Sequence, residues 1–211
     1  MIKVRIEQGS DAWHEIRLGR FTGTSMGKLQ SGKSTANYND AITDVVGEIL
    51  SGVADEFFPT ADMIRGTALE PSARAFYEEI HDERVYEVGF CLPDDEFLAE
   101  WIGVSTDGHR TSDEGITEFK CPKLKTHLKY LEDGKMPNTY KWQVQAQLWV
   151  TGALFCDFMS YYPNMKPFII RVYPDQEMFK SLENEVRIAI KSVQEKVELY
   201  KKYSIDEDPE I

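Results

Sequence analysis

Gly103-Val104-Ser105-Thr106-Asp107-Gly108 and, a short way on, Ile116-Thr117-Glu118-Phe119-Lys120 organise the whole chain. Two apolar segments flank a turn rich in Asp, Gly and Ser. The first carries Trp101, Ile102 and Val104; the second runs from Ile116 to Phe119. Apolar runs bounded by turn signals predict neighbouring strands of a buried sheet. Their polar exceptions are an aspartate, a glutamate and a lysine. Glu118 and Lys120 are two apart, so the period of a strand puts both side chains on one face. A closed hairpin brings Asp107 beside Glu118. Two carboxylates held together repel unless something positive lies between them. Mg²⁺ answers that need, since it prefers carboxylate oxygens and fills the rest of its shell with water.

Aspartate, roughly ten residues, then Glu-x-Lys is the signature of the PD-(D/E)xK nucleases, and it is weak alone. A solvated hairpin with a surface Glu–Lys pair worth ~0–1 kcal/mol would read the same. The rest of the chain has to decide.

With 211 residues the chain is long enough to bury a real core as one domain, residues 1–211, with an acidic tail over 204–211 expected to fray. Its 42% hydrophobic and 28% charged residues are ordinary for a globular protein. The start, Met1-Ile2-Lys3-Val4-Arg5, alternates like a strand rather than a signal peptide, and no apolar run approaches a membrane span. Cys91, Cys121 and Cys156 form neither a zinc spacing nor a disulfide framework, which predicts a reducing cytoplasm. His14, His81, His109 and His127 are scattered and make no zinc cluster.

A net charge of −12 argues against a simple nucleic-acid binder. The distribution answers the objection. From Phe119 to Lys141 there are six lysines and two acids, a local +4, whereas Asp82 to Glu100 holds seven acids and one arginine. A basic channel inside an acidic exterior would grip DNA and still let it slide.

In chain order, Ser10 to Gly19 opens with a cap residue and closes with glycine, predicting a short helix. Arg17 stands just before a second cap, Thr22-Gly23-Thr24-Ser25. A helix start with hydroxyls and a nearby arginine is a good anion site, although a plain cap with a surface arginine fits as well. Ser31-Gly32-Lys33-Ser34 resembles the end of a P-loop but lacks its first glycine and a preceding strand, so it is no nucleotide site. Tyr38 to Leu50 predicts an amphipathic helix. Thr67 to Glu70 fits a capping box that starts a helix ending near Ile80, with Pro71 tolerated in its first turn. Glu70 is then either a cap or a third acid for a metal. Strands are expected over Arg84–Leu92, Phe97–Val104, Phe155–Tyr162 and Phe168–Tyr173, and helices over Leu124–Glu132, Pro137–Thr151 and Met178–Tyr203. Within Pro137–Thr151, Gln143 and Gln147 line up on one face and Gln145 points elsewhere.

Taken together these motifs resemble the phage-lambda-exonuclease type of PD-(D/E)xK nuclease, the YqaJ viral recombinase family. The residues that carry the likeness are Gln8-Gly9-Ser10-Asp11-Ala12-Trp13-His14-Glu15-Ile16-Arg17-Leu18-Gly19, Thr22-Gly23-Thr24, Gly66 with Glu70, Ser105-Thr106-Asp107-Gly108, Glu118-Phe119-Lys120-Cys121-Pro122, Gln143-Val144-Gln145 and Trp149-Val150-Thr151. The family has Pro where this chain has Thr106, and Ser or Ala-Ser where it has Gly23-Thr24-Ser25.

The resemblance implies an α/β fold with a central mixed β-sheet flanked by helices, a restriction-endonuclease-like PD-(D/E)xK core. It implies a processive 5′→3′ exonuclease on double-stranded DNA, using Mg²⁺, for which Mn²⁺ can substitute, as two ions. Asp107, Glu118 and the Phe119 carbonyl would hold the metals, with Glu70 in or just behind the shell. Lys120 would ready the water, and Gln145 or Gln143 would steer it or the scissile phosphate. Arg17, Thr24 or Ser25, and Ser105 would bind a terminal 5′-phosphate. The resemblance further implies a ring-shaped homotrimer, a single-strand-annealing recombinase as partner, no membrane, and the cytoplasm of a bacterial host carrying the phage or prophage. An endonuclease or junction resolvase with the same centre, and a non-catalytic DNA-binding module, are the alternatives.

Overall fold

The computed structural model describes residues 1–54 and 58–203. The tail expected to fray lies outside the described residues. Six strands form a sheet whose spatial order follows the chain: β1 (Ile2–Val4), β2 (Val85–Leu92), β3 (Val104–Arg110), β4 (Gly115–Lys120), β5 (Phe155–Ser160) and β6 (Phe168–Val172). Neighbours are antiparallel except β4 and β5, which run parallel. A parallel pair needs a crossover, and α6 (Leu124–Asp133) with α7 (Asn138–Thr151) supplies it.

The other helices are α1 (Asp11–Arg17), α2 (Gly23–Leu29), α3 (Ala36–Ser51), α4 (Ala61–His81), α5 (Glu96–Trp101) and α8 (Gln176–Tyr200), the last followed by a 3₁₀ turn over Lys201–Tyr203. The sheet is thus mixed and flanked by helices, as expected. On one face the main core joins α2, α3, α7 and α8 to β2 and β3, through Phe21, Met26, Ile42, Val104, Ala146, Leu182 and Ile190. A second cluster continues that face over β4 and β5 with Ile116, Val144, Leu148 and Phe158. On the other face, Ala73 and Tyr77 of α4 pack on Phe119 and Met159.

Two local expectations are corrected. Residues 97–101 are not strand: Asp95 accepts the Leu98 N–H at 2.8 Å and starts α5, so the strand begins only at Val104. An aspartate free to cap outweighs the strand preference of two aromatic residues. Helix α4 does not start at Thr67. Thr60 caps it by accepting the Met63 N–H at 3.3 Å, which leaves Glu70 and Pro71 inside the helix. An interior proline has no N–H for the preceding turn. Here it costs the ladder that bond just after the turn that carries Glu70.

Candidate active site

The site forms where two strands part. The β3–β4 ladder pairs His109 with Ile116 and Gly108 with Thr117 and goes no further. Beyond it, the Phe119 N–H is satisfied by the Asp107 side chain, whose Oδ2 accepts at 2.5 Å. A residue in an extended strand turns its N–H and C=O to the same edge, so the Phe119 carbonyl faces the same gap. Gly108 is what the crowding at this point demands. A Cβ there would lie 2.0 Å from Val85 Cγ1 and 2.9 Å from Thr117 Oγ1.

Glu118, one strand position before, is 1% exposed. Its Oε1 is ion-paired with Lys120 and accepts from Gln143 Nε2 at 2.7 Å. Its Oε2 accepts from Gln147 Nε2 at 2.6 Å. The two-residue spacing of Glu118 and Lys120 does put them together. The Lys120 ammonium also lies 5.2 Å from the Tyr140 ring centroid. From the opposite side α4 brings Glu70, half-buried and bonded to Arg74 Nη2 at 3.3 Å. Glu70, Asp107, Lys120 and Tyr140 line one cleft of 570 Å³, together with Arg65 and Lys123.

The electrostatics show how crowded with negative charge this cleft is. Burial and then Glu118 push the Asp107 carboxyl well above its ordinary value, against the opposing pull of Lys120 and the Phe119 N–H. Burial also raises Glu70, with Arg74 opposing and Glu118 adding to the rise. Burial disfavours the Lys120 ammonium, but Glu118 and Asp107 outweigh it and hold its pKa above the ordinary lysine value. Three acids thus share the space with one fixed ammonium.

Among the described residues no three His, Cys, Asp or Glu side chains stand as a ready-made metal cluster. In this arrangement Glu118 is committed to Lys120 and two glutamines. The donor set nevertheless fits a hard divalent cation: carboxylate oxygens and a main-chain carbonyl at one gap, with no soft ligand required. A cation there would offset the burial and the mutual repulsion that raise the Asp107 and Glu70 carboxyls.

Four residues expected to bind phosphate divide into two kinds. Arg17, with its guanidinium carbon 3.9 Å from the Trp13 ring centroid, and Thr24, exposed on the first turn of α2, border a cleft of 510 Å³ shared with Arg20 and Lys28. Ser25 lines the same cleft, but its hydroxyl is occupied in the helix cap, accepting from Thr22 N at 2.6 Å and donating to Thr22 O at 3.1 Å. Ser105 donates to Gly89 O at 2.8 Å and accepts from Trp13 Nε1 at 2.9 Å, which ties α1 to β3.

The glutamines are also sorted by the fold. Gln143 reaches Glu118. Gln145 does not reach the acidic cluster: its amide donates to Tyr173 O at 2.9 Å and accepts from Asp175 N at 2.9 Å, bracing the turn between β6 and α8. The expectation for Gln145 is corrected because successive odd positions on a helix diverge by 200°. The residue that joins Gln143 is Gln147, one helical turn on. The i, i+4 alignment was legible in the sequence, but its target was not.

Residues 12–154 match the model of the YqaJ-like viral recombinase domain family. Among solved structures, the chain is similar to an alkaline exonuclease (LHK-Exo) from Laribacter hongkongensis, with 28% identity, a TM-score of 0.82, and coverage of 93% of this chain and 99% of that one. A structure of LHK-Exo in complex with dAMP gives a TM-score of 0.83 at the same identity and coverage. A phage related exonuclease from Haemophilus somnus 129PT shares the fold at 16% identity, with a TM-score of 0.64 over 88% of this chain and 96% of that one. No curated protein matches the sequence significantly.

Proposed function

Because the chain belongs to the YqaJ-like viral recombinase family, and so to the nucleases, we propose that it digests one strand of duplex DNA, 5′→3′, from a 5′-phosphorylated end, using Mg²⁺. The observation that carries this reading is the meeting of Asp107, Glu118, Glu70 and Lys120 where β3 and β4 part. Asp107, Glu118 and the Phe119 carbonyl would hold the cations, with Glu70 beside them. A divalent cation bound there supplies charge against the phosphate and lowers the pKa of a water.

The chain's own residues do the rest. Lys120 places a fixed positive charge next to the attacking oxygen and the developing phosphorane. Gln143 keeps Glu118 turned toward the cleft. Arg17 and Thr24 supply a charge and a hydroxyl to the terminal phosphate, on a frame that Ser25 and Ser105 brace. Holding the end of the strand fixes which bond is cut, and this is what makes the enzyme end-dependent. The dAMP held by LHK-Exo supports a mononucleotide as the product of each step. A ring-shaped trimer around the duplex would account for processivity. The long 3′ single strand left behind is the substrate of an annealing recombinase, the partner we infer.

Linear duplex carrying a 5′-phosphate, the same duplex with a 5′-hydroxyl, and covalently closed plasmid form the test, with Mg²⁺ titrated and nucleotide release measured. We expect rapid release from the first, slower release from the second and none from the third. Arg17→Ala should erase the difference between the first two. Cutting of the closed plasmid would instead make the chain an endonuclease of the same chemistry. No release from any substrate across the titration would leave a DNA-binding module. Light scattering checks the trimer, whose mass must be three times that of the chain.

A further inference from the structure

Gln147 is 1% exposed and lies on the same face of α7 as Gln143, yet nothing in the proposed chemistry requires it. Its single amide nitrogen donates twice, to Glu118 Oε2 at 2.6 Å and to the main-chain carbonyl of Ser105 at 2.9 Å. Both acceptors are oxygens, so the NH₂ group must point at them and the amide cannot be turned round. That orientation leaves Gln147 Oε1 buried with no partner among the described residues. A buried acceptor left bare is unfavourable. The bonds to Glu118 and Ser105 therefore hold the amide in place although its own carbonyl is left bare, which points to a role in tying those two acceptors together.

Its place in the sheet says what that role is. The β3–β4 ladder stops at Gly108 and Thr117, so no main-chain pairing between these strands fixes Ser105 relative to Glu118. Carbonyls alternate along a strand. Thr106 O accepts from Gln8 at 2.9 Å, and Gln8 also reaches Val88 O of β2, so Thr106 O faces β2. Ser105 O therefore turns to the β4 side, where Gln147 meets it. One amide group stands in for the missing ladder. It spans from the strand that carries Asp107 to the carboxylate of Glu118. It holds Oε2 and leaves Oε1 as the oxygen shared with Lys120 and Gln143.

We propose that Gln147 is a positioning residue that sets the spacing and rotation of Glu118 relative to Asp107, and through them the affinity of the centre for divalent cations. This rests on the nuclease reading above. The two glutamines then have separate roles. Gln143 acts at the oxygen turned to Lys120, and Gln147 fixes the other oxygen to β3.

The proposal is tested by calorimetric titration of Mg²⁺ into DNA-free protein, for the wild type and for Gln147→Met, which keeps the length of the side chain and removes its donor. Steady-state kinetics on 5′-phosphorylated duplex accompany it. Loss of an outer partner of a metal ligand typically weakens binding by about 10–100-fold. We expect a loss of that size in Mg²⁺ affinity and in kcat at fixed Mg²⁺, with the KM for DNA ends unchanged and part of kcat recovered at saturating Mg²⁺. A role in packing alone would lower the melting temperature and leave Mg²⁺ affinity intact. Gln147→Asn is the second variant; it keeps an amide too short to span both acceptors, and the same loss is expected. A folded variant of either kind with wild-type Mg²⁺ affinity overturns the proposal, as does failure of both to fold. A wild-type protein that takes up no Mg²⁺ and releases no nucleotide sinks the nuclease reading itself, a distinguishable result.

Discussion

Asp107 is the residue on which the site turns. Its carboxyl is raised by burial and by Glu118, so between the ordinary aspartate value and the raised one the folded chain binds more of a proton than the unfolded chain does. Such a group makes the metal-free fold lose stability as pH rises from the ordinary aspartate value of 3.8 through the raised folded value. A cation that binds the ionised form reverses the trend. Mg²⁺ should therefore raise the melting temperature more at about pH 8 than at about pH 5, and more Mg²⁺ should shift the acid limb of the rate–pH profile to lower pH. Melting curves with and without Mg²⁺ at the two pH values check this; equal gains would refute it. Lys120 makes the second prediction. Lys120→Ala should cut the rate by about 10²–10³, and without metal it should also destabilise, because buried Glu118 loses its ion-pair partner. Full activity in a folded Lys120→Ala protein would sink the mechanism.

Elements hold these residues in place, and α4 shows how. Tyr77 donates to Asp157 Oδ2 on β5 at 2.6 Å, and Arg110 donates to the Tyr77 hydroxyl at 2.6 Å. Arg171 of β6 grips both oxygens of Asp157 at 2.8 Å. This network locks α4, and with it Glu70, onto the face of the sheet opposite α7. Asp157 is 2% exposed, and its removal leaves Arg171 without its partner and Tyr77 without its acceptor, while Arg110 keeps Asp113 and Glu83. Asp157→Ala should cost about 3 kcal/mol, toward the lower end for a buried pair because Arg171 reaches solvent. Urea denaturation measures it, and a loss below about 1 kcal/mol would show that the network carries little. Glu83, at the end of α4, gives the acid response. Donation from the Ser112 hydroxyl and the Thr111 and Ser112 N–H groups outweighs burial and holds its pKa at about 2. Its stabilisation is complete above the ordinary glutamate value of 4.5 and is lost as pH falls toward about 2. Glu83→Gln should flatten that acid limb.

At the scale of the molecule, charge is segregated. The net charge is −12, yet the lysine-rich stretch 119–141 maps to the end of β4, α6 and the start of α7, and Lys120 and Lys123 line the acidic cleft. Lys123 is exposed, and its pair with the likewise exposed Asp62 at 2.9 Å is a solvent-screened one that a phosphate can displace. Affinity for duplex DNA should fall steeply with salt. Lys123→Ala should reduce the slope of log K against log salt by about one and raise KM with kcat little changed. An unchanged slope would place the DNA elsewhere. Among the described residues no helix is long and apolar enough to cross a membrane.

Local chemistry alone made a good part of this legible. Alternation in Ile116–Lys120 placed Glu118 and Lys120 on one face, and cap residues marked the starts of α1 and α2. These are interactions between residues a few positions apart, and one chain carries them wholly. The start of α4 was not legible, because a proline in a helix interior is tolerated only where packing on the sheet compensates. Nor was the choice between Gln143 and Gln145, or between Thr24 and Ser25. The glutamine choice depends on partners distant in sequence, Glu118 on β4 and Tyr173 after β6, whereas Ser25 is taken up by cap bonds to Thr22 three residues away. The closing of β3–β4 at Gly108, which opens the gap where Asp107 meets Glu118, is likewise a product of three strands packing together. Sequence determined which groups are candidates for the chemistry; tertiary structure decided their partners, because most of those partners are set by contacts across the sheet.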